Sequence, residues 1–124
     1  RYGTVTGVQT CALPISGKLT KSFPFKKGGD IASTGDLPLQ LNANFYHVTG
    51  TAQIDRIQIT SWDDAELLIL YFESAATLKH KKSASQDYGS ISLDGSVDYV
   101  TSSGDVLAFI KDGNTWEELT RKQA

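Results

Sequence analysis

Short apolar runs broken by turn residues dominate this chain, and that rhythm constrains its fold more than anything else in it. From Leu39 onward, stretches of a few alternating residues end at Thr49-Gly50, at Ser61 to Asp64, at Asp94-Gly95, at Ser103-Gly104 and at Asp112-Gly113. Runs this short leave little room for an amphipathic helix, which needs apolar positions three and four apart over ten or more residues. Leu39 and Leu41 alternate with polar neighbours, and Ile57 and Ile59 alternate with Arg56, Gln58 and Thr60. That period of two is the signature of a strand with one buried face. Asp112-Gly113 is the strongest hairpin signal, lying between Val106 to Ile110 and Trp116 to Arg121. Thr115 to Lys122 has the acidic start and basic end that suit a helix dipole, but the Asp-Gly turn before it favours a returning strand. The expected class is all-β, a β-sandwich or β-roll of short antiparallel strands.

One run departs from simple alternation. Ala65 to Phe72 is apolar on both faces, with Leu67, Ile69 and Tyr71 pointing one way and Leu68, Leu70 and Phe72 the other. Such a strand lies centrally in a two-layered core, or has its second face covered by another subunit. Leu68, Leu70 and Phe72 are the candidate interface residues.

The start of the chain reads differently. Val5 to Ile15, VTGVQTCALPI, resembles the translation of a standard short-read sequencing adapter, and Arg1 to Ile15 is read as adapter-derived and non-native. The single cysteine, Cys11, falls inside it. The remaining residues therefore hold no disulfide, no thiolate nucleophile and no cysteine-ligated zinc. Residues 16–38 mix glycine, proline and lysine and are expected to be a linker or the first strand of a truncated upstream region, with Lys26-Lys27-Gly28-Gly29 as a candidate hinge. Residues 39–124 are expected to form one β-rich domain, the C-terminal part of a longer protein.

Charge and hydropathy narrow the partners. Lys and Arg number 12 against 14 Asp and Glu, a net charge of −2, and without Arg1 the balance is one unit more negative. Nucleic-acid binding usually needs a basic field, so no nucleic-acid partner is expected. The longest apolar run, Leu67 to Phe72, is strand-sized and far short of the roughly 18 residues of a membrane helix, so no membrane insertion is expected.

Converging catalytic groups are scarce. His47 and His80 are the two histidines, without HxH or HExxH spacing. His47, between Tyr46 and Val48 on an expected strand, reads as structural, and His80 sits among lysines on a loop. Asp63-Asp64 and Glu117-Glu118 are adjacent pairs, which on a strand point to opposite faces and make no acid/base couple. Lys79 to Lys82 reads as a charged edge that discourages strand-to-strand aggregation. No catalytic residue, metal or cofactor is expected. Trp62 stands in a polar turn beside two aspartates, where an exposed indole can stack on a sugar ring, or else folds over the edge of its own core.

Together the motifs resemble a β-rich domain of bacteriophage tail fibres, tailspikes and other virion fibres. They are Val48 to Thr51 with Ile54 and Ile57, Leu70 and Phe72 with Thr77-Leu78, and Ile91, Leu93 and Gly95. Gly104-Asp105-Val106 with Phe109 follows, then Trp116, Glu118 and Arg121. The match runs from Asn44 to Arg121 and departs from the family at Ser61 to Asp64, where a glycine-bearing turn is common. The resemblance implies a non-enzymatic virion component, a homotrimer, with a host cell-surface polysaccharide as a candidate partner. Two alternatives stand beside it: the cap of a tailspike polysaccharide depolymerase whose catalytic part lies upstream, and a capsid-decoration or carbohydrate-binding module.

Overall fold

The structure is a computed structural model that describes residues 25–40 and 42–124. The adapter-like residues 1–15, the first part of the expected linker and Leu41 lie outside the described residues. The described chain forms β1 (Ile31–Ala32), β2 (Asp36–Leu37), β3 (Phe45–Thr49), β4 (Arg56–Gln58) and β5 (Leu67–Phe72). After β6 (Thr77–Leu78) and β7 (Tyr88–Ser92) comes a 3₁₀ turn at Asp94–Ser96, then β8 (Tyr99–Val100), β9 (Val106–Asp112) and β10 (Thr115–Lys122). The protein is all-β.

Eight strands make one sheet in the order β1-β3-β5-β9-β10-β7-β4-β2, and β6 pairs with β8 in a small ribbon. The two edge strands, β1 and β2, are joined by only Ser33, Thr34 and Gly35. A flat eight-stranded sheet would hold its edges about 34 Å apart at a spacing of ~4.8 Å per strand. The connection spans at most about 14 Å. The sheet must therefore curl until its edges nearly meet. Hydrogen bonds fix the join, with Ser33 N donating to the Thr49 carbonyl, and the Asp55 and Arg56 N–H groups to that of Gly35. Ala52 N donates to Ser33 Oγ.

Strand direction departs from the antiparallel expectation. β1-β3, β3-β5, β2-β4 and β7-β10 are parallel, whereas β5-β9, β9-β10, β4-β7 and β6-β8 are antiparallel. The cause is the winding. From β1 to β5 the chain crosses between the two halves of the curled sheet at every step, so each strand returns beside the one before last and runs the same way. Local turn signals report where a chain reverses, not which strand it lands beside.

The expected boundary at residue 38 does not divide the sheet. Ile31–Leu37 supplies both of its edges, with Leu37 fully buried, and the Lys26–Gly29 segment is pinned to β3 through Gly28 N donating to the Phe45 carbonyl at 2.8 Å. Within the described part of 16–38, Ile31–Ala32 and Asp36–Leu37 are strands.

The inward faces form one core around Trp116, Tyr46, Phe72 and Phe109. Trp116 Nε1 donates to the Gln58 carbonyl at 3.0 Å, so the indole is buried with its polar atom satisfied. Tyr46 Oη lies 2.6 Å from the Gln40 carbonyl oxygen and 2.8 Å from that of Ala43, and burial pushes its pKa up to about 12. The expected final hairpin is present, with Asp112 and Thr115 as its last pair and Gly113-Asn114 as the loop. Gly113 has φ +62 and Asn114 is not left-handed, the pattern of a type II′ turn.

Candidate functional site

Leu68, Leu70 and Phe72, expected at a subunit interface, have no exposed surface in the single chain. They point into its own core, and no neighbour can reach them without opening the sheet. The face of β5 that remains accessible is the opposite one. Register pairs Phe45 with Ile69 and Ile69 with Ala108, His47 with Tyr71 and Tyr71 with Val106, and Leu67 with Ile110. Phe45, Leu67, Ile69, Tyr71, Val106, Ala108 and Ile110 are all partly exposed, and together they make a mostly apolar outer surface across three strands.

The other half of the sheet presents a different exterior. Across β10, β7 and β4, Thr115 pairs with Ser90 and Ser90 with Arg56, while Glu117 pairs with Ser92. Arg56 Nε reaches Asp36 on β2 at 2.7 Å and its Nη1 donates to the Ser83 carbonyl. A sheet that needed only to dissolve would be polar outside on both halves. Only one half is.

At the end of the apolar face stands a charged cluster. The parallel register places Asp30, just before β1, beside His47 on β3, and Glu73 follows β5 directly. His47 Nδ1 lies 2.7 Å from Glu73 Oε2, and ligand atoms of Asp30, His47 and Glu73 all fall within 4.8 Å of one another. The imidazole stacks on Tyr71 with centroids 4.4 Å apart and meets the Phe45 ring edge-on at 5.7 Å. His47 was legible as a strand residue, but Asp30 and Glu73 were not singled out. Only the parallel pairing brings them together, and nothing in the local sequence announces it.

Trp62 is partly buried and packs edge-to-face on Trp116, with ring centroids 5.3 Å apart. It closes the rim of the core while keeping part of its ring accessible. The turn that carries it is left-handed at Ser61 (φ +70) and again at Ala65 (φ +71). Glycine takes that conformation without penalty, so Ser61 and Ala65 hold a backbone strain that glycine would not. Asp64 is occupied structurally. Its Oδ1 accepts from Lys111 Nζ and Gly113 N, each at 2.9 Å, and these bonds hold its carboxyl below the ordinary range.

The opposite end is sealed by buried polar groups. Residues three apart on a regular strand face opposite ways, yet Glu118 and Arg121 share the inner side because a bulge falls between Glu118 and Thr120. They form a bidentate pair of 2.8 and 2.7 Å, with the Glu118 side chain 1 % exposed. The Arg121 guanidinium lies 3.9 Å over the Tyr99 ring, whose hydroxyl donates to Asp105 Oδ2 at 2.5 Å. Burial pushes the Asp105 carboxyl up. The bonds from Tyr99, Ala124 N and Ser102 N, with the charge of Arg121, outweigh that and hold it low.

The basic stretch is partly neutralised. Lys79 Nζ bonds Asp98 at 2.7 Å, and His80 Nδ1 accepts from Leu93 N at 3.0 Å.

No protein-family model matches the chain, and no curated protein or solved structure matches it either. The likeness to virion fibre domains rests on the residues quoted for it.

Proposed function

We propose that this chain is a non-enzymatic structural domain of a bacteriophage tail fibre or tailspike, located in the virion and holding its fibre together as a homotrimer. The observation that carries the reading is the mostly apolar exterior of β3, β5 and β9 beside the mostly polar exterior of β4, β7 and β10. A contiguous exposed apolar patch marks a candidate interaction surface. The occupant proposed is the same face of other copies around a threefold axis. That occupant agrees with the fibre resemblance and leaves the polar half to solvent. Within this proposal Trp62 is the residue offered to a host surface glycan, through the part of its ring that Trp116 does not cover.

Light scattering coupled to size exclusion tests it. The full chain is expected to run as a trimer at high micromolar concentration, and Ile69→Lys is expected to give a folded monomer. A monomeric wild-type chain under those conditions overturns the reading. Glycan-array binding that survives Trp62→Ala removes that residue from the adhesive role.

A further inference from the structure

We propose that Asp30, His47 and Glu73 form a binding site for a divalent transition-metal ion, with zinc the ion their donor set suits best. The inference stands apart from the assembly proposal and does not need it. An ordinary ion pair accounts for His47 and Glu73 alone, at 2.7 Å. The structure adds a second carboxylate, from Asp30, within 4.8 Å of both. Two carboxylates then share one imidazole, which carries at most one positive charge. A divalent cation offsets that excess.

The donor set also selects the ion. One imidazole nitrogen and two carboxylate oxygens are common zinc ligands, at bond lengths of about 2.0–2.2 Å. Calcium and magnesium favour six or more oxygens, which this cluster does not supply. Tetrahedral zinc needs its ligand atoms about 3.3 Å apart. The two carboxylates are exposed, whereas the imidazole packs against Tyr71 and Phe45 in its orientation. The packed ligand is thus already positioned and the exposed ones lie on either side of it. A fourth position is left for water. The three ligands come from just before β1, the middle of β3 and just after β5, so a bound ion ties the two-residue edge strand β1 to the strands behind it.

Zinc titration calorimetry on the full chain tests the site, in a Cys11→Ser background that removes the one thiol able to bind zinc elsewhere. The expected result is one zinc per chain and a melting temperature that rises with zinc. His47→Ala is expected to weaken binding about tenfold or more and to abolish the thermal shift. Asp30→Asn and Glu73→Gln, which leave the imidazole and its packing intact, are each expected to weaken binding as well. His80→Ala, at the other histidine, leaves it unchanged. Equal affinity in the His47→Ala chain, calcium binding as tight as zinc, or no heat at millimolar zinc overturns the proposal.

Discussion

The two halves of the curled sheet share one core and differ in what they show outside. β3, β5 and β9 carry mainly aliphatic and aromatic side chains on both faces, whereas β4, β7 and β10 carry them mainly inside and put mostly serine, threonine, arginine and glutamate outside, with Tyr88 and Leu119 as the exceptions. Core burial explains the inner faces of both halves equally. It explains nothing about the outer face of the first, where each partly exposed aliphatic group forgoes much of the free energy that full burial would give. The difference separates what the chain needs to fold from what it holds available for a partner.

Substitutions on the two faces of one strand should separate those roles most clearly. Phe72→Ala, on the inner face of β5, is expected to cost about 3–5 kcal/mol in chemical denaturation, from lost burial and the cavity left behind. Charge substitution outside comes next. Ile69→Lys on the apolar half is expected to abolish self-association while moving the unfolding midpoint little, and Ser92→Lys on the polar half should leave both unchanged. Equal behaviour of the two lysine variants in light scattering would erase the distinction between the halves.

The sealed end gives a smaller effect. Arg121→Ala strands the buried Glu118 carboxylate and uncovers Tyr99. The loss is expected to be on the order of 2 kcal/mol, below that of a fully enclosed pair because the guanidinium is a fifth exposed. Asp105 makes the same end sensitive to acid. Its folded-state pKa is depressed, so its stabilising contribution is complete above about pH 4 and is lost as pH falls through the depressed value. Denaturation curves between neutral pH and pH 2 should show Asp105→Asn less stable at neutrality and flatter on the acid side. The smallest effect is expected at Ser61→Gly, which relieves a left-handed backbone and should stabilise by about 0.5 kcal/mol in thermal melts.

The strands were largely legible because turn chemistry and period-two alternation are local. Phe45 to Val48, the apolar run ending at Phe72, and the hairpin through Gly113 all appear where the sequence pattern puts them. The two faces of β5 were legible too, but not which one turned inward. Both are aliphatic and aromatic, so composition cannot rank them, and only the position of Trp116 and the curl of the sheet decide. The parallel pairings were illegible for a related reason. They join residues brought together by winding, and the Asp30, His47 and Glu73 cluster is a product of that winding. The bulge that brings Glu118 and Arg121 to one side was hidden as well, since an i, i+3 spacing on a regular strand would have separated them.

The short join through Ser33, Thr34 and Gly35 also bears on aggregation. The sheet ends on β1 and β2, each only two residues long, which is too little backbone to recruit a foreign strand. Both guards belong to one segment of the chain. Cleavage or displacement of residues 25–38 would strip both edges at once and uncover the five-residue β3 beside its apolar outer face. The curled sheet would then change from a particle with no sticky borders into a template for further strands.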